Sequence, residues 1–225
     1  MIEWLSFAGA GVIAGLIAGL LGLGGGLVIV PILVVLFTWQ GEAPQFIMHM
    51  AVATSMMTIT VTALSSLIAH HRQQNIHWPA VRLFVFGLSA GAFFGAWFAS
   101  KLPREFLQLF FAVFAMLMAI RVWIQISDKG YPQLLKRLPA VSFSMVTGGV
   151  SALIGIGGGS LVVPYLLLAG QTIRKAIGTS AACGFPIALA AVAGFIIFAP
   201  EQLDGQRFRQ SGFVHWQAFL FHHYC

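Results

Sequence analysis

Charge is what this sequence has least of. Asp, Glu, Lys and Arg make up only 8% of its 225 residues and 59% are hydrophobic, whereas soluble domains carry about 25% charge. So few charges cannot cover a water-facing surface. With a mean hydropathy of +0.90 and uncharged runs longer than about 18 residues, a soluble core-rich domain is excluded. Acidic residues are scarcest, 6 Asp+Glu against 12 Lys+Arg for a net charge of +6. None of Glu3, Glu42, Glu105, Asp128, Glu201 or Asp204 lies deep in an apolar run, so no carboxylate proton relay is visible. The basic residues sit in short connections between apolar runs, where they set membrane orientation; no nucleic-acid partner is expected. Cysteine is nearly absent: Cys183 lies in an apolar run and Cys225 ends the sequence, and no disulfide framework follows. Met1-Ile2-Glu3-Trp4 lacks the basic start of a signal peptide, and the first apolar run is too long for one, so it reads as a retained span. No histidine pair has metal-ligand spacing, so neither metal nor cofactor is expected.

What is present is apolar length in excess. Residues 4–38 carry no charge, and as one straight helix they would run about 50 Å against a hydrocarbon core of about 30 Å. The excess is relieved at Gly22-Leu23-Gly24-Gly25-Gly26, poor helix-forming residues followed by Pro31. The sequence predicts a helix at 5–21, a break at 22–26 and a shorter helix at 27–38. Spans are expected at 46–69, 80–99 and 105–125, and a polar linker at 127–138. Residues 138–173 are again uncharged and again interrupted, at Gly155-Ile156-Gly157-Gly158-Gly159, with Pro164 spaced as Pro31 is. A further span is expected at 175–198.

Three anchors recur in the same order: Gly22 to Pro31 against Gly155 to Pro164, Ala51-Val52-Ala53-Thr54-Ser55 against Ala176-Ile177-Gly178-Thr179-Ser180, and Ile76-His77-Trp78-Pro79-Ala80 against Val214-His215-Trp216-Gln217-Ala218. Matches in register indicate duplication. The fold expected is all-α and polytopic, with a first transmembrane repeat at 1–126, a linker at 127–138 and a second repeat at 139–225, each with a glycine-broken discontinuous helix. After Trp78 the first repeat has room for two more spans; after Trp216 only residues 217–225 remain. A truncated or frame-shifted second repeat is therefore expected. Whether the halves are parallel or inverted depends on whether each short helix continues across the membrane or turns back, and the basic residues divide too evenly to decide.

The breaks are neither nucleotide loops nor dinucleotide fingerprints: no Gly-Lys-Ser/Thr follows, and the sixth position is Leu27 or Ser160. Inside a bilayer, non-helical backbone is tolerated where it is protein-buried or lines a cavity, and a helix starting there points free N–H groups and a positive dipole end at that cavity. Paired breaks also point to a transporter's binding site; close packing through glycine is the alternative. Thr54-Ser55 and Thr179-Ser180 can add donors without burying a charge, or bond back to their own helix. The candidate substrate-binding residues are thus Gly24, Gly25, Gly26, Thr54, Ser55, Gly157, Gly158, Gly159, Thr179 and Ser180. Gly11, Gly15 and Gly19, and Gly87, Gly91 and Gly95, read as packing ladders. Gly87 to Gly91 also matches the G-x-S-x-G hydrolase pattern at Ser89, but in an apolar span rather than a strand–turn–helix. Arg82 and Arg121 lie near span ends, where they can snorkel or guide an anion.

Residues 15–31, their second copy at 149–164 and both Thr-Ser elements resemble the TauE/SafE sulfite-exporter-like permeases. The resemblance implies a multi-pass permease of the bacterial inner membrane, in contact with the lipid bilayer, that moves a small anion, most plausibly sulfite or an organosulfonate, outward. It implies no enzymatic activity. A homo-oligomer is compatible with it. The C-terminus departs from the family pattern by lacking its last two spans. A non-transporting scaffold and an inactive truncated permease stand as alternatives.

Overall fold

The computed structural model describes residues 26–123, 140–199, 210–211 and 213–215. Within them lie seven helices: α1 (Gly26–Trp39), α2 (Ile47–Arg72), α3 (Trp78–Lys101), α4 (Arg104–Trp123), α5 (Ala140–Ile154), α6 (Gly159–Leu168) and α7 (Ile173–Ile197). A small antiparallel hairpin, β1 (Gln210–Ser211) and β2 (Val214–His215), pairs Gln210 with His215 and Ser211 with Val214. The architecture is all-helical and polytopic. Helices α2, α3 and α7 are each long and apolar enough to cross a membrane. The predicted helix at 5–21, Gly24 and Gly25, and the linker at 127–138 lie outside the described residues.

The helices form where the apolar runs predict them, with ends shifted by capping chemistry. Helix α2 runs past its apolar stretch through His70, His71 and Arg72, basic residues that suit the negative end of a helix dipole. Helix α3 is capped by His77, whose Nδ1 accepts from Ala80 N at 3.3 Å, with Pro79 in the first turn where no N–H is needed. The short helices α1 and α6 end alike. Gly41 (φ 72°) and Gly170 (φ 82°) adopt left-handed backbone, and the next residues, Glu42 and Gln171, donate back to Phe37 O and Leu166 O. This closes each helix in a Schellman motif. Each also contains a proline, Pro31 or Pro164.

Packing relies on small residues. Helices α3 and α5 meet backbone to backbone: a Cβ added to Gly95 would lie 2.7 Å from Gly149 O, and one on Gly91 or Gly148 would strike the carbonyl of Met145 or Leu88. Ala92, Ala96, Ala152, Ala188 and Ala191 are fully buried. Such close approach drives helix association where lipid offers no hydrophobic contrast. The large apolar side chains that a soluble protein would hide are outside: Leu83, Phe86 and Phe94 on α3, Leu109, Met116 and Leu117 on α4, and Ile197 on α7 are exposed, as a lipid-facing surface requires. Ser89 lies inside continuous helix α3, away from any strand–turn–helix.

Candidate functional site

The second glycine break, residues 155–158, is the non-helical passage between the short apolar helices α5 and α6. Helix α5 ends when Gly155 takes φ 79°, and the N–H groups of Gly155 and Ile156 both bond Ser151 O at 3.0 Å. Gly158 then takes φ 76° as the residue preceding α6. An L-residue with a side chain is strained in that left-handed region. Helix α6 starts at Gly159, with no side-chain cap. Leu161 N and Val162 N bond Gly158 O, and the earlier N–H groups of Gly159 and Ser160 have no partner among the described residues, the usual state of a helix N-terminus.

Around this break the structure gathers most of the sequence-predicted residues. Gly26 opens α1, one residue earlier than predicted, and lies so close to the Gly155–Ile156 backbone that an added Cβ would strike Gly155 O. Ser55, from α2, donates to Gly155 O at 2.9 Å, filling a carbonyl that the left-handed turn frees. Gly157 lies beneath Ile59 of α2, and its carbonyl is 2.8 Å from the Cβ position of Gly184 on α7. Ile187 of α7 covers Gly158, its Cδ1 2.6 Å from the Cβ position. Ser180 Oγ is 3.7 Å from the Cβ position of Gly159. Thr179 turns elsewhere: its Oγ1 accepts from His77 N at 2.9 Å, joining α7 to the α2–α3 connection. Thr54 is fully buried on α2. Arg82 is exposed near the start of α3.

Two residues not singled out in the sequence belong to the same place. Ser151, on the last turn of α5, has its Oγ 3.7 Å from the Cβ position of Gly158, and Ser160 stands in the first turn of α6. Ser151, Ser160 and Ser180 are 1%, 8% and 2% exposed, and none of their hydroxyls has a hydrogen-bond partner. Buried hydroxyls are rarely left unpaired, because each costs about 1–3 kcal/mol. Three of them stand around the α6 N-terminus, beside its free N–H groups. A comparison of the two halves could have signalled the pair: the residues aligned with Ser151 and Ser160 in the first copy are Ala18 and Leu27.

The family profile described as sulfite exporter TauE/SafE matches residues 7–223. The chain belongs to that family. Among relatives of this TauE/SafE protein, a "Probable membrane transporter protein" of Haemophilus influenzae is 36% identical over 188 residues, covering 83% of this chain and 71% of the relative. "Probable membrane transporter protein YunE" of Bacillus subtilis is 29% identical over 230 residues, covering 92% and 78%. A relative from Methanocaldococcus jannaschii with a similar description is 28% identical over 201 residues, covering 87% and 72%. No solved structure matches the chain. The TauE/SafE assignment agrees with a multi-pass membrane protein built on apolar helices.

Proposed function

We propose that this TauE/SafE protein is a permease that exports a small anion, sulfite or an organosulfonate, and that the anion binds at the second glycine break. The carrying observation is the trio of buried, unpaired hydroxyls at the α6 N-terminus. Hydroxyl and backbone donors can replace an anion's water shell without burying a countercharge. The family description and the relatives' transporter names point the same way. Transport, not catalysis, is the activity this reading assigns.

In this reading, Gly157, Gly158 and Gly159 present backbone to the substrate and Ser180 supplies a hydroxyl. Ser55, Thr54 and Thr179 hold the surrounding helices in place. The two halves are read as copies: the pairs α1–α2 and α6–α7 run in the same order, and both short helices close on a left-handed glycine. Movement of one copy against the other would expose the break alternately, with Ile59 and Ile187 as the apolar cover on Gly157 and Gly158. That cover also supports a second reading, a non-transporting membrane scaffold in which the break only lets helices pack.

Efflux of radiolabelled sulfite and methanesulfonate from vesicles containing the full chain separates the readings. Ser180→Ala should reduce flux at subsaturating anion about tenfold or more, the effect of losing a hydrogen bond to a charge. Undiminished flux with normal insertion removes the site from the second break.

A further inference from the structure

The two halves contribute differently around the second break. Ser55 and Ser180 occupy matched places on α2 and α7, yet Ser55 donates to Gly155 O while Ser180 has no partner. Ser151 and Ser160 are hydroxyls where the first copy has Ala18 and Leu27. Gly26 is pressed against the backbone of Gly155 and Ile156, a packing contact that leaves no room for a ligand on that side. At the second break, the Ser55 hydroxyl supplied by the first half is thus spent on structure, while those of Ser151, Ser160 and Ser180 from the second half are left open.

We propose that the second break holds an anion subsite in which Ser151 and Ser160 determine affinity beside Ser180 and the N–H groups of Gly159 and Ser160, and that it takes an oxyanion head carrying one negative charge in preference to one carrying two. The charge preference follows from what surrounds it. Around the break, α5 and α6 contain no Lys, Arg, Asp or Glu, and α2 and α7 carry such residues only at their ends, at Arg72, Arg174 and Lys175. The desolvation cost of an ion rises as the square of its charge, and neutral donors without a countercharge recover it far less completely for a dianion. A pyramidal –SO3 head with one negative charge, as in hydrogensulfite or a sulfonate, offers an acceptor oxygen to each of three hydroxyls. A dianion such as sulfate offers the same oxygens at a desolvation cost about four times higher.

This inference rests on the permease reading, so binding and transport are measured separately on the full chain. Binding is read in detergent as the rise in unfolding temperature produced by methanesulfonate, hydrogensulfite or sulfate, since a ligand that binds the folded state stabilises it. Transport is read as efflux from vesicles. Methanesulfonate should stabilise the wild type. Ser151→Ala and Ser160→Ala should each require about 10- to 100-fold more methanesulfonate for the same rise and raise KM in parallel, with maximal efflux retained. Ser65→Ala, on the exposed side of α2, should change neither. Thr replacement at position 151 should restore affinity if the hydroxyl is what matters. Equal stabilisation by sulfate overturns the charge selection, and unchanged methanesulfonate affinity in both serine variants overturns the subsite. Normal hydroxyl-dependent binding without efflux from wild-type vesicles upholds the subsite and removes the permease reading instead.

Discussion

Glycine serves two separate purposes here, and single substitutions should tell them apart. Gly91 and Gly148 are ordinary helical residues whose missing side chain admits a neighbouring carbonyl. Gly91→Ala should therefore separate α3 from α5 and lower stability by about 1–3 kcal/mol, as overpacking does, measured by thermal unfolding in detergent; an unchanged midpoint would contradict the close approach. Gly170 has open space around its Cβ position but φ 82°, so Gly170→Ala should cost about 1–2 kcal/mol through backbone strain alone. Its effect should persist in variants that loosen packing elsewhere. His49 shows a different economy. It is buried near the start of α2, its Nε2 is 3.1 Å from both Ala99 O and Leu102 O at the end of α3, and its ring stacks on Phe213 at 5.2 Å. That nitrogen must carry the proton, because both partners are acceptors. Replacing His49 by Ala should destabilise the α2–α3 junction by about 2–4 kcal/mol, through a cavity and two carbonyls deprived of a donor; a loss below 1 kcal/mol would show the ring to be incidental.

The helices themselves were largely legible in the residue order, because apolar length and glycine interruptions are local properties. The runs at 46–69, 80–99 and 175–198 became α2, α3 and α7 with ends displaced by a few residues. The displacement at α2 has a cause: His70-His71-Arg72 follow the apolar run, and basic residues suit a helix C-terminus. The interruption at Gly155 to Gly159 became a break at 155–158, with Gly159 already in α6. The site was less legible. Ser180 and the glycines stood out because they recur in both halves. Ser151 and Ser160 did not, since recurrence hides the positions where two copies differ. Nor could residue order show that Ser55 would reach Gly155 O and Thr179 would reach His77 N, since both are tertiary contacts across long separations.

At the scale of the whole molecule, α2 sets which of its flanking connections lie on opposite sides of the membrane. Helix α2 is continuous over 26 residues, about 39 Å, and overspans a hydrocarbon core of about 30 Å. Glu42 and Arg72 should then lie on opposite sides. In a background lacking Cys225, a single cysteine at 42 and one at 72 should react with an impermeant maleimide from opposite faces of oriented vesicles; labelling from one face would mean that α2 does not cross.

The shortness of α6 has an electrical consequence. Its 10 residues rise about 15 Å, half the hydrocarbon thickness of about 30 Å. With its C-terminal end at Gly170 placed at the membrane surface, its N-terminus would sit near the middle of the transmembrane field, whether α6 continues across the bilayer or turns back. An anion held beside Gly158 and Gly159 has traversed about half of the voltage drop. One elementary charge gains about 2.3 kcal/mol per 100 mV over the full drop, so occupancy of the break should shift about sevenfold per 100 mV. Under the permease reading, a negative cell interior would favour the outward movement of such an anion.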